Sequence, residues 1–154
     1  MAAINMNDDV IESTQYIVVK IDDEQYGIDI QYVDNIVRMQ RITRVPKAQS
    51  YFEGVINLRG EVIPVMSMRK KFFLDDDVET NKTRIIIVKT EAQAAIGVRV
   101  DEVREVVTLF DNEIEKRSYD KNKDEANDYL LGVGKNGEEL ISLLNINAVI
   151  AEDY

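Results

Sequence analysis

Gly54-Val55-Ile56-Asn57-Leu58-Arg59-Gly60-Glu61-Val62-Ile63-Pro64-Val65-Met66 is the stretch whose reading sets the fold. Val55 to Leu58 and Val62 to Met66 are apolar runs, and the polar segment between them holds a glycine. β-Branched runs around a glycine-bearing turn predict a β-hairpin. Gly60 supplies the positive φ such a turn demands, where a side chain would cost about 1–2 kcal/mol. Arg59 then stands at the tip, the charge beside the turn that can reach a partner.

Outward from the hairpin, the chain repeats itself. At an offset of 78 residues Gly54-Val55 matches Gly132-Val133 and Glu61-Val62-Ile63 matches Glu139-Leu140-Ile141, with the turn between them expected to be one residue shorter or longer. Arg59 has no arginine counterpart there, because the second turn reads Lys135-Asn136-Gly137. At an offset of 70 residues Gly27, Ile28 and Ile30 match Gly97, Val98 and Val100, and Val33, Ile36 and Val37 match Val103, Val106 and Val107. A repeated order of strands, helical turn and Gly-bounded hairpin is a duplication. Gly27, Gly54, Gly60, Gly97, Gly132 and Gly137 are read as structural glycines.

Each copy offers about five short strands, enough for a small barrel. Tyr16–Ile21 and Tyr26–Ile30 form a first hairpin, and Ile85–Val88 with Ala94–Val100 its copy. Ile30, Val33, Ile36 and Val37 recur at helical spacing and predict one or two helical turns; Val100, Val103, Val106 and Val107 recur at helical or kinked spacing. Met68–Leu74 and Asn145–Ile150 are expected as short helices, and Ser118–Asp128 as a polar loop. The expectation is a mainly β chain of two related five-stranded barrels, with exchange of strands between them left open. The tails span 1–14 and 151–154, and one domain spans 15–150, its halves meeting near residue 82. Halves this small bury little alone and must share a core, with segments 30–37 and 98–107 lining the groove between them.

The sequence contains no cysteine and no histidine, which excludes disulfides and thiolate zinc sites and removes the commonest general base. No cofactor and no metal site is expected. Asp75-Asp76-Asp77 lacks the alternate spacing of a calcium loop. Asp29 and Asp101 would serve an enzyme only by converging in a cleft with shifted pKa values, and solvated strand-face acids are the expectation. The net charge of −10 opposes nucleic acid. Residues 38–71 nevertheless carry eight cations against two carboxylates, a local +6 that can steer an acidic partner. With no signal peptide and no membrane span in view, a cytoplasmic protein is expected.

Tyr26-Gly27-Ile28-Asp29-Ile30, then Val33 and Ile36, Thr43, Gly54 to Gly60 and Ile63-Pro64-Val65 resemble the CheW family, as do Gly97-Val98, Val100 to Val103, Tyr129 to Val133 and Leu140-Ile141. The resemblance covers roughly residues 15–150. It implies two five-stranded barrels of OB- or SH3-like type and a non-enzymatic chemotaxis adaptor. Such an adaptor links the cytoplasmic tips of methyl-accepting chemoreceptors to the regulatory domain of the histidine kinase CheA. It would be a monomer alone, assembled at membrane-associated receptor arrays. Carried over residue by residue, Val33, Ile36 and Arg59 match receptor or array contacts, and the internal repeat adds Val98 and Val103. Val45, Pro46 and Phe52 lie on the segment expected to meet the kinase. Asn35, Ser67, Met68 and Gln49 depart from the family pattern and put partner detail in doubt. The alternative is an OB-like barrel binding nucleic acid or oligosaccharide, opposed by the charge and the lack of tryptophan.

Overall fold

Two strands are apolar on both faces, and they explain how the molecule is put together. β1 (Ser13–Ile21) sends Tyr16 and Val18 to one core and Ile17, Val19 and Ile21 to another. β6 (Arg84–Lys89) likewise splits Ile85 and Ile87 from Ile86 and Val88. A strand buried on both faces reads as a continuous run rather than an alternation, which is what YIVVKI and RIIIV are. The computed structural model describes residues 11–75, 78–91, 94–116 and 129–151. The polar loop expected at 118–128, most of the tails expected at the termini, Asp76-Asp77 of the aspartate run and Ala92-Gln93 of the turn before Ala94 lie outside them.

The first repeat continues with β2 (Glu24–Asp29), β3 (Val33–Arg38), β4 (Phe52–Leu58), β5 (Glu61–Ser67) and α1 (Met68–Lys71). After β6 the second gives β7 (Ala95–Val100), β8 (Glu102–Phe110), β9 (Ile114–Lys116), β10 (Leu130–Asn136), β11 (Glu139–Leu144) and α2 (Ile146–Ile150). The sheets run β8-β1-β2-β11-β10-β9 and β3-β6-β7-β5-β4. Each repeat therefore places its first two strands in the sheet completed by the other. The parallel pairs β2 with β11 and β5 with β7 join the repeats within each sheet.

Both sheets must curl. β8 and β9 are the outer strands of the six-stranded sheet, yet only Asp111–Glu113 separate them. Flat strands would put these edges about 24 Å apart, whereas the chain from Phe110 to Ile114 spans at most about 14 Å. In the other sheet the segment after β3 crosses to the far edge, where Thr43 and Val55 exchange two backbone hydrogen bonds of 2.8 Å. Each sheet wraps its own core, one around Ile141 and Leu143, the other around Ile56 and Ile63. The third core lies between the sheets and gathers Ile17, Val19, Ile28, Met66, Ile86, Val98 and Leu144 from both repeats.

The segment expected to be helical is a strand after one turn, and the segment expected to be helical or kinked is a kinked strand. After a single 3₁₀ turn at Ile30–Tyr32, residues 33–38 form β3, and the second copy is the nine-residue β8. The cause is a β-bulge in each. The register slips between Val33 and Asn35, and β8 carries one extra residue, Arg104, opposite Val18 and Val19. One added residue turns a spacing of two into three, so Val33 and Ile36, like Val103 and Val106, share a face as they would on a helix. A second pair of bulges falls at Glu53 and Leu131. The two hairpin turns have equal length rather than differing by one residue. Leu58 pairs with Glu61 across Arg59-Gly60, and Asn136 with Glu139 across Gly137-Glu138.

Candidate functional site

Equal turns put Arg59 opposite Gly137, not beside an Asn-Gly pair. Gly137 takes φ 66° as the first central residue of its turn, where glycine is favoured. Arg59 takes φ 53° and Gly60 φ 84°, both positive, as in a type I′ turn. The Gly60 N–H donates to Asn57 Oδ1 at 3.1 Å and steadies the tip. An exposed arginine thus occupies a left-handed position that its own copy gives to glycine. The backbone gains nothing from this. The guanidinium does, because it is held away from the sheet with no ion pair among the described residues.

Bulged β3 and β8 bring four apolar side chains to the margin of the shared core. Val33 and Val103 pack against it, whereas Ile36 is 38% and Val106 51% exposed. Ile36 pairs with Ile86 and Val106 with Ile17, both shared-core residues, so the exposed pair faces the side on which the sheets meet. Val98 is fully buried in that core and offers a partner no surface. Val106, the copy of Ile36, is the exposed residue that stands in its place. The repeat offset already pointed to Val106, but the two-faced burial of β7 was invisible in the sequence.

Val45, Pro46 and Phe52 all line one cleft of about 480 Å³. Arg44, Lys47 and Lys70, three of the eight cations of residues 38–71, share its lining with Arg99 and Glu53. Arg99 Nη1 meets Glu53 Oε2 at 2.8 Å with both side chains about nine-tenths buried. Arg44, Lys47 and Lys70 make no ion pair among the described residues. The cleft thus sets Val45, Pro46 and Phe52 beside these cations.

Gly54 and Gly132 occupy matching sites where the returning edge segment crosses the hairpin strand. A Cβ on Gly54, at φ 143°, would fall on the Thr43 carbonyl, and one on Gly132 would lie 2.6 Å from the Glu115 carbonyl oxygen. Gly27 and Gly97 face Leu143 and Ile85 in the cores. Ser67 caps α1 through the Lys70 N–H, and Asn145 caps α2 through Ala148. Serine at 67 therefore keeps a capping oxygen, as an aspartate would. Asn35 Oδ1 accepts from the Ile36 N–H at 2.9 Å and acts locally.

The carboxylates weighed as catalytic do structural work. Asp29 accepts from the Gln31 backbone and side chain. Asp101 sits between β7 and β8, where the chain passes from one sheet to the other, and its two oxygens share the Arg69 Nε–H while Oδ2 also accepts from Nη2. Burial alone would raise the Asp101 carboxyl; the Arg69 hydrogen bonds, the Asp22 N–H and the nearby Arg69 and Arg99 charges hold it below its ordinary value. An acid held ionised is a poor proton donor. Among the described residues no group of three or more acidic side chains is placed to hold a metal ion, and no helix is long and apolar enough to cross a membrane.

This arrangement is a two-sheet β scaffold on which Arg59, Ile36 and Val106 are exposed. The chain belongs to the CheW-like domain family, which matches residues 15–153. It is 31% identical to the chemotaxis protein CheW of Helicobacter pylori over 99% of this chain and 91% of that one. Against the chemotaxis protein CheW of Bacillus subtilis the identity is 32%, over 96% and 94%. The crystal structure of the scaffolding protein TtCheW from Thermoanaerobacter tengcongensis superposes with a TM-score of 0.82 at 30% identity, covering 92% of this chain and 95% of that one. The chain is a chemotaxis adaptor of the kind that couples chemoreceptors to CheA.

Proposed function

We propose that Ile36 and Val106, with Val33 and Val103 beneath them, receive the helical tip of a methyl-accepting chemoreceptor, and that Arg59 makes a charge-assisted contact in the assembled array. Apolar side chains of the helix enter between the sheets in the helix-in-groove mode. The guanidinium donates to a carboxylate or to the carbonyls at a helix end. The cationic cleft around Val45, Pro46 and Phe52 docks the regulatory domain of CheA. Residues 15–150 act as one unit, since each sheet needs strands from both repeats, and the protein works in the cytoplasm at receptor arrays.

The observation that carries this reading is Arg59, a charged side chain kept at a left-handed position that its own copy gives to glycine. Each contact need be only micromolar, about −8 kcal/mol, because many such contacts in an array act with avidity. Kinase control follows if the adaptor binds one kinase state better than the other. Pull-down on receptor-bearing membranes tests the groove. Ile36→Asp and Val106→Asp should each abolish retention, and retention of both variants at the unsubstituted level would refute the site.

A further inference from the structure

α1 ends in a Schellman arrangement: the Leu74 N–H donates to the Arg69 carbonyl at 2.8 Å and the Phe73 N–H to that of Lys70 at 3.2 Å. The residue after the cap in this motif takes a left-handed conformation and is usually glycine. Here it is Phe73, at φ 59° and 91% exposed. A ring so exposed packs against nothing in the fold, and its backbone is strained to present it.

Phe72 and Leu74, on either side of it, line a second cleft, of about 430 Å³, distinct from the cationic one. The Tyr26 and Phe72 rings stack at 5.4 Å within it. Its rim is the β1–β2 turn, Asp22-Asp23-Glu24. Asp22 lies 3.6 Å from Arg69, and Glu24 accepts from the Tyr26 hydroxyl at 3.1 Å. Asp23 makes no ion pair among the described residues. The rim carboxylates attract an organic cation, and so does the aromatic cluster beneath them, in which Phe72 lies against Tyr26 and, at 5.9 Å, Tyr129.

We propose that this cleft is a docking site for a partner peptide segment in which a lysine or arginine stands beside a large apolar residue, the cation entering over Tyr26 and Phe72 and the apolar residue covering Phe73. The acidic rim and Asp75 repel anionic headgroups, so the exposed ring is an anchor for protein rather than for a lipid surface.

Benzamidine, a planar cation on an aromatic ring, and benzoate, its anionic counterpart, probe the cleft in the full chain by ¹⁵N chemical-shift titration. Benzamidine should give saturable shifts confined to residues 22–26 and 72–74, and Asp23→Asn with Glu24→Gln should weaken it about tenfold. A fluorescein-labelled octapeptide with one arginine two residues before a leucine pair should bind, and its glutamate-for-arginine counterpart should not. Phe73→Gly should raise Tm by about 2–4 °C and weaken the peptide about tenfold. Equal binding of benzoate, scattered shifts or an unchanged peptide affinity in Phe73→Gly would each overturn the proposal. So would Phe73-dependent sedimentation with phosphatidylglycerol vesicles in place of peptide binding.

Discussion

At the scale of the residue, two positions show what the chain gives up for contact and for cohesion. Arg59 in the left-handed region costs about 1 kcal/mol relative to glycine. Arg59→Gly should therefore raise stability by about that amount, or 2–4 °C in Tm, while coupling fails; calorimetry beside a kinase assay reads both. Asp101 is the opposite case, a side chain held entirely by its neighbours. Its folded pKa lies below the ordinary value of 3.8. Its contribution is therefore full above that value and is lost as pH falls through the lower, folded one. In a Tm–pH series, Asp101→Asn should be less stable than the parent at pH 6, with the gap closing towards pH of about 2. A gap that stayed constant across that range would mean that the carboxylate's charge is not what Arg69 holds. Arg59 was legible in the sequence as a tip residue, but its strain was not, because the turn length fixes which residue takes positive φ. Asp101 was legible only as an acid. Its partner, Arg69, lies 32 residues away, and no local pattern joins them.

At the scale of the element, the hairpins, their glycines and the two short helices were readable, since turn chemistry and capping are local. The helical reading of residues 33–37 gave way to a strand after one turn, and of the helical and kinked alternatives at 103–107 the kinked one stands, for the same physical reason. A bulge leaves the apolar spacing of a helix on the backbone of a strand, and only pairing with Ile86 and Ile17 discriminates the two. The bulges matter for the site, because they turn Ile36 and Val106 onto the face where the sheets meet. Gly54 and Gly132 matter because the returning edge segment passes where a side chain would stand. Gly54→Ala should cost more than about 2 kcal/mol, lowering the denaturation midpoint by more than Gly60→Ala, whose added Cβ would meet no atom within 4 Å and whose cost is that of positive φ alone. Chemical denaturation of the two variants measures the difference.

At the scale of the whole molecule, the duplication was plain in the sequence but the exchange was not. Periodicity tells which side chains of a strand are buried and says nothing of which strand lies beside it. The strongest sign was the apolarity of β1 and β6 on both faces, which requires a core on each side and hence a second sheet. Burial in the shared core removes Val98 from the groove, while Ile36 and Val106 at its margin stay exposed. Because the shared core draws on both repeats, a cut between them should leave neither half folded, and co-expressed halves should regain structure only together. As proposed, an intact scaffold couples receptor to kinase through the hairpin tip and the groove. Autophosphorylation of purified CheA with receptor-bearing membranes, with and without this protein and its Arg59→Gly variant, tests that claim most directly. The protein should change the kinase rate, and the variant, folded and at least as stable, should not. An unchanged rate with the parent protein, or full coupling by the variant, would contradict it.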